Sequence, residues 1–367
     1  MLNKKMTNDE KARNYILRFD ELMQPGDVIL TAASTISSKG IRKVTRSNFS
    51  HAILYLGNSY MHSDLDGVHS DNPQRLLFAN PQDVKVLRLK QEHLNAQTIE
   101  NICAFARSEH GKQYSKFEAA KSVLTPNALN QKNRQFCSRL VAQSFENANI
   151  KIVKNSNYCT PHEISISDYF EEILDVTKLA NDEEIEFANS KSLLPPQTYI
   201  TNNLLKNIRA LTGQDIQTLN EIDSFLVENP EYDNQITELL KNSGYLEIWK
   251  MDCEKNPWRY DGKVFLNFEN PNELNKFKKA YKLEAATYKD LIISMAIGEL
   301  DCFSGKTISI NEVLRFQYQY NLYSILFNEH KLNYFQTQIS LYKQLLWNCK
   351  KRMNAAEHVL KHYGVIE

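Results

Sequence analysis

The sequence predicts an α+β fold class: a small antiparallel sheet packed on helices, followed by a mostly α-helical domain. Three observations predict it. Short apolar runs rich in β-branched residues, bounded by turn residues, are confined to the first half of the chain. Three segments of that half carry apolar residues at helical spacing. Beyond an acidic, polar stretch that ends in Pro195-Pro196, strand signals nearly vanish and long helical patterns take over. A length of 367 residues favours two domains. The expected division is an α+β domain over 1–176 with an N-terminal helix, a linker over 177–200, and a helical domain over 201–367.

Each element follows in order. Residues 7–23 read as a helix: Thr7 and Glu10 have capping-box spacing, Ile16, Leu17, Phe19 and Leu22 are its apolar positions, and Pro25-Gly26 stops it. Residues 27–31 form a short strand, and 34–48 a polar loop with Lys39, Arg42, Lys43 and Arg46. Residues 49–56 are a second strand ending at the turn Gly57-Asn58-Ser59, and a third begins at Tyr60. Residues 84–89 alternate apolar and charged, as a half-exposed strand does. Residues 93–110 and 136–149 read as helices, the first closed by Gly111. Farther on, 204–211, 215–227, 235–240, 272–297 and 309–362 favour helix, with Ser309 and Glu312 as a second capping box. Val313, Phe316, Tyr320, Tyr323 and Phe327 repeat at three and four residues, the core face of a long helix or helical hairpin.

Composition removes some functions. Lys plus Arg equals 44 and Asp plus Glu equals 44, so no net field draws the chain to nucleic acid. No apolar run has the length of a transmembrane helix, and residues 1–10 lack the apolar core of a Sec-type signal. The expected location is the cytoplasm, or outside it by a Sec-independent route as a secreted effector of a low-GC bacterium. The six cysteines are scattered without a CxxC pair, so they are expected as free thiols with no metal site and no cofactor. His358 and His362, four apart on a helix, lack a third ligand.

The chemistry centres on Cys137. A thiol nucleophile needs an imidazole to take its proton, a third polar group to orient that imidazole, and gains from a helix N-terminus that stabilises the thiolate. Cys137 stands where the 136–149 helix begins. His51 sits in an otherwise apolar strand. If Gly57-Asn58 is a two-residue hairpin loop, Ile53 lies opposite His62 and His51 opposite Asp64, and His51, His62 and Asp64 project to one side. Either His62 or Asp64 can then meet the far ring nitrogen of His51. His69 is expected at the far end of the third strand, exposed. His93, His110, His162, His330, His358 and His362 are assigned no role, and Cys159 is a bystander.

These pieces resemble the circularly permuted branch of the NlpC-type papain-like cysteine peptidases (YiiX/YebB-like). Pro25-Gly26-Asp27-Val28-Ile29, then Ser50-His51-Ala52-Ile53-Leu54-Tyr55-Leu56-Gly57, then Phe136-Cys137-Ser138-Arg139-Leu140-Val141 fall in that family's order, histidine strand before cysteine helix. Gly111-Lys112-Gln113-Tyr114 is similar to its Gly-x-x-Tyr element, and Tyr158-Cys159-Thr160-Pro161-His162-Glu163 to its Pro-containing element. The resemblance spans residues 22–175. It implies Cys137 as nucleophile, His51 as base and His62 as third residue. Many relatives carry Glu at the position of His62. A histidine there is similar to the lecithin:retinol acyltransferase branch, which works on lipid acyl chains.

The resemblance thus implies a hydrolase that cleaves an amide in a peptide or a peptidoglycan-like substrate. Two rival readings stand beside it: a lipid acyltransferase, esterase or thioesterase acting on an acyl lipid with the same triad, and an inactive scaffold whose helical half binds a protein partner. The helical half matches no family by its motifs.

Overall fold

A computed structural model describes residues 14–32, 49–115, 133–267, 287–304 and 311–367. The chain divides into two compact units, Met1–Ser192 and Leu193–Glu367.

The first unit is built on a six-stranded antiparallel sheet of order β5-β4-β3-β2-β6-β7. Its strands are β2 (Val28–Thr31), β3 (His51–Tyr55), β4 (Tyr60–Asp64), β5 (Gly67–Asp71), β6 (Val84–Leu89) and β7 (Phe170–Ile173). Central β2 is buried along its whole length. Its side chains alternate between two cores, as the pleat requires. Val28 and Leu30 join Ala52 and Leu54 in one core, completed by helices α2 (Ala96–Ser108) and α3 (Cys137–Asn147) through Ile102, Cys103, Leu140, Val141 and Phe145. Ile29 joins Ile53, Tyr55 and Val86 in the other, with Leu17, Phe19, Phe78 and Val176.

The turn Pro25-Gly26-Asp27 has a structural task. Gly26 adopts φ 92°, and a Cβ there would stand 2.7 Å from Ile99 Cδ1. Asp27, buried, accepts from Arg88 of β6 through both carboxylate oxygens at 2.8 and 2.7 Å, and from the Gln24 backbone N–H at 2.7 Å. The fork pins the entrance of β2 to its neighbour.

Two expectations are corrected in this unit. The N-terminal helix expected over 7–23 is a strand, β1 (Tyr15–Leu17), and a short helix, α1 (Phe19–Leu22); the capping box Thr7/Glu10 lies outside the described residues. β1 pairs with β8 (Thr177–Leu179), so tertiary pairing overrides the helical spacing of Ile16, Leu17, Phe19 and Leu22. The 177–200 stretch is not a bare linker. It holds β8, the helix α5 (Asp182–Asn189, following the short α4, Pro161–Ser165) and the first turns of α6 (Leu194–Thr212). Pro195 and Pro196 stand at the helix start, where a missing N–H costs nothing.

The second unit is helical throughout its described residues: α6, α7 (Leu219–Glu228), α8 (Asp233–Asn242), α9 (Ile248–Lys255), α10 (Gly262–Leu266), α11 (Tyr288–Ser304), α12 (Glu312–His330) and α13 (Asn333–His362). α12 and α13 form a hairpin reversed at Lys331, φ 57°. Long α13 serves two cores. Tyr334 and Phe335 pack with α6, α7 and α8, while Ala355, Ala356, Val359 and Leu360 pack with α10 and α11. Of the aromatic stripe, Tyr323 is a buried core member and Phe327 packs against the same cluster. The cap of α12 is Asn311, accepting from Leu314 N–H at 3.1 Å; Ser309 lies outside the described residues. His358 packs so closely on Gly262 that a Cβ there would stand 2.6 Å from its ring, and the ring of His362 packs on Tyr363.

Candidate active site

β3 and β4 fix the histidines. Their ladder pairs Leu54 with Met61 and Tyr55 with Tyr60, and Leu56 N–H bonds to Ser59 O at 2.8 Å around Gly57-Asn58. That is the register expected from the turn. The β4–β5 hairpin then sets His62 directly opposite His69, and Asp64 opposite Gly67. Gly67 is required: its φ is 92°, and a Cβ would stand 2.6 Å from Lys112 O.

The same edge positions the cysteine. Val68 exchanges backbone hydrogen bonds with Gly111 and Lys112 at 2.9 and 2.8 Å, so the Gly-x-x-Tyr segment runs along β5. Tyr114 bridges to Gln135, with Ser115 N–H on Gln135 O at 2.9 Å and Gln135 N–H on Gln113 O at 3.0 Å. Two residues later α3 begins at Cys137. Its N-cap, Phe136, is extended and makes no side-chain cap bond, which leaves the first-turn N–H groups clear of a capping side chain. Cys137 is 8 % exposed. Neighbouring Ser138 and Arg139 serve the scaffold. Ser138 Oγ donates to Cys159 O at 2.7 Å. Buried Arg139 donates to Asn157 O and Arg134 O at 2.8 and 3.0 Å and lies over the Phe136 and Tyr158 rings.

Around this frame a chain of imidazoles forms. His51 is hydrogen-bonded to Cys137. His51 Nε2 lies 2.9 Å from His62 Nδ1, and His62 Nε2 lies 3.0 Å from His69 Nε2. His69 Nδ1 lies 3.2 Å from Gly67 O and 3.7 Å from Asp64 Oδ1. With Nε2 spent on His62, His51 presents Nδ1 to the thiol. Gly67 O is only an acceptor, so His69 carries its proton on Nδ1 and accepts at Nε2. His62 then donates from Nε2 and accepts at Nδ1, and His51 donates from Nε2. In this assignment one carbonyl, read through three rings, leaves His51 Nδ1 unprotonated toward Cys137.

The charges agree. Burial pushes the Cys137 thiol up, but adjacent His51 and backbone hydrogen bonds from Ala52 and Ser138 outweigh it, and its pKa falls below the ordinary thiol value. Burial pushes His51 down, but Cys137 and then Asp64 outweigh that and its pKa rises. Burial, with His51 and His69 beside it, holds His62 well below the ordinary imidazole value and therefore neutral. By contrast, burial raises Cys103 to about 11 and Cys349 to about 12, and raises Cys159 and Cys302 as well.

Residues 22–194 match a family model described as permuted papain-like amidase enzyme, YaeF/YiiX, C92 family. Over those residues the match supports the permuted papain-like family for the N-terminal unit. Its papain-like fold and the hydrolase class of its relatives follow from that match. Among solved structures, metalloprotein yiiX from Escherichia coli O157:H7 aligns at 15% identity over 41% of this chain and 96% of that one, with a TM-score of 0.28. No curated protein matches. No helix among the described residues is long and apolar enough to cross a membrane.

Of the residues singled out by sequence in the papain-like unit, His62 rather than Asp64 meets the far nitrogen of His51. Asp64 acts on His51 only through its charge. The basic 34–48 loop falls outside the described residues. Two corrections concern missed residues. His69 is not at an exposed strand end but half-buried against His62. Its signal was the Asp66-Gly67 turn, which returns the chain so that 69 faces 62. Tyr114 lies within electrostatic reach of both Cys137 and Asp64. His62, Asp64 and His69 also bring one ligand atom each within 4.8 Å of one another, an arrangement their sequence spacing does not announce.

Proposed function

We propose that Cys137 and His51 are a nucleophile–base pair that cleaves an amide bond in a peptide or peptidoglycan-like substrate, with His62 orienting His51. The observation that carries this reading is the hydrogen-bonded Cys137–His51 contact with pKa values displaced in opposite directions. His51 Nδ1 takes the thiol proton, and the thiolate attacks the carbonyl carbon. The oxyanion develops beside the N-terminus of α3, where the Cys137 backbone N–H is one donor and the Tyr114 hydroxyl a second. The tetrahedral adduct collapses, the C–N bond breaks, and His51 Nδ1–H protonates the departing amine. Water, deprotonated by the same nitrogen, then cleaves the thioester and restores the thiol. Throughout, His62 Nδ1 accepts from His51 Nε2–H, which favours imidazolium in the ion pair.

The test is the pH dependence of iodoacetamide alkylation at each cysteine, read by peptide mass spectrometry in the wild type and in His51→Ala, with amide hydrolysis assayed in parallel in Cys137→Ala. Cys137 alone should react rapidly below about pH 7 and lose that reactivity without His51, and Cys137→Ala should release no amine. The reading fails if Cys137 reacts no faster than an ordinary thiol of pKa about 8.5. Release of a free fatty acid or a transacylated lipid, rather than amine and acid, would move the substrate to acyl lipids with the pair intact.

A further inference from the structure

We infer that His62, Asp64 and His69 form a binding site for one divalent transition-metal ion of the Zn2+ type. The three stand on one hairpin, and their ligand atoms lie within 4.8 Å of one another. His62 Nε2 and His69 Nε2 face each other at 3.0 Å. Two imidazole nitrogens each about 2.0–2.1 Å from a tetrahedral ion are separated by little more than this, so small ring movements admit the ion. The space between the two nitrogens can be bridged by one proton or by one metal.

The surroundings suit the metal. His69 Nδ1–H donates to Gly67 O at 3.2 Å, the outer bond that fixes a ligating imidazole with its Nε2 lone pair forward. His62 has its second bond at Nδ1, to His51 at 2.9 Å. Asp64 accepts from Asp66 N–H at 2.9 Å, which orients its carboxylate. Its side chain is 41% exposed, so the cluster has a way in from solvent. Two imidazoles and a carboxylate select Zn2+, Co2+ or Ni2+ over Mg2+ and Ca2+, with water completing the coordination.

Occupancy has a consequence for the pair proposed above, and this consequence alone rests on that reading. A metal on His62 Nε2 displaces its proton to Nδ1, which then donates to His51 Nε2. The proton of neutral His51 moves to Nδ1, the nitrogen facing Cys137. No proton is gained or lost, but the base toward the thiol is gone. Bound metal therefore holds the nucleophile off.

The decisive measurement uses the full chain carrying Cys137→Ala, stripped with chelator, so that no catalytic thiolate can ligate. Co2+ is added and its visible bands recorded, and Zn2+ affinity is read by competition with a chromogenic chelator. We expect one equivalent of Co2+ with tetrahedral bands. Zn2+ affinity should fall by at least about tenfold when His69→Ala or Asp64→Ala is added, and stay unchanged with His162→Ala. His69→Gln, close in size, replaces His69→Ala if that variant loses its circular dichroism. Absence of tetrahedral bands, or affinity unmoved by both ligand variants, overturns the site. In the wild type, Zn2+ should slow Cys137 alkylation and chelator should restore it; an unchanged rate with metal bound overturns the coupling. A Cys137 that is inert without metal would instead sink the catalytic reading, and the Co2+ spectrum would still decide the site.

Discussion

The two units bury titratable groups in different ways. In the papain-like unit, Cys137, His51, His62 and His69 form a line that ends beside a half-exposed carboxylate. Its members titrate in opposite directions, thiol down and imidazole up. In the helical unit the charges close on themselves. Arg352 bonds Glu299 and Glu312 at 2.9 and 2.7 Å, Arg259 bonds the same Glu299 at 2.8 Å, and it forks onto Asp252 at 2.8 Å. Asp223 sits near Tyr245, Tyr323, Tyr334 and Tyr342, whose pKa values all rise through burial first. A perturbed pKa alone therefore does not mark a reactive centre. In the first unit the shifts converge on a thiol at a helix start; in the second they accompany contacts that hold helices together.

The contrast breaks most visibly if the closed network is not structural. Arg352→Ala leaves buried Glu299 with Arg259 alone and takes that partner from half-buried Glu312; breaking a buried pair costs up to about 3–5 kcal/mol. Hydrogen exchange should show α11 and α13 opening, while Cys137 keeps its alkylation rate. Protection unchanged in α13 would mean that the network is dispensable. In the first unit the largest test of the third residue is His62→Phe, which keeps the ring's bulk and removes the acceptor for His51 Nε2–H. We expect amide hydrolysis to fall by about 10²–10³-fold, roughly 3–4 kcal/mol of barrier, with the melting temperature little changed. Full activity in His62→Phe would show that His51 needs no partner, and the line of imidazoles would be mere packing.

How much of this was legible beforehand depends on range. Strand signals at 27–31, 49–56 and 84–89 were local, and they correspond to β2, β3 and β6. The Gly57-Asn58 turn sets the His51–His62 register because a hairpin converts sequence distance into spatial pairing. β1, β5, β7 and β8 were missed. The pairing of β1 with β8 spans the whole unit, and β7 (Phe170–Ile173) is a short segment with two exposed glutamates that no local pattern announces. His69 needed a second hairpin beyond the first. The position of Tyr114 depended on backbone bonds among residues 68, 111 and 135, each far from the next in sequence. The helical unit showed its spacing but not its charges, since the partners of Arg352 lie 40 and 53 residues away.

The pH dependence of stability is the sharpest test of the closed unit. Asp223 accepts from the Tyr323 hydroxyl at 3.1 Å, and burial raises its pKa to about 7. In the unfolded chain the same carboxyl titrates near its ordinary value of about 3.9. Between those values the folded state holds a proton that the unfolded state has lost. Stability should therefore fall as pH rises from about 4 to about 7, by at most roughly 1.4 kcal/mol per pH unit, and stay flat in this term above that window. Asp223→Asn carries no charge at any pH and removes the slope. Urea titrations of both proteins at several pH values should coincide near pH 4 and separate toward pH 8, the variant being more stable. Parallel slopes would mean that Asp223 is ionised without penalty, and that the tyrosines around it supply compensation of the kind found at the imidazole line.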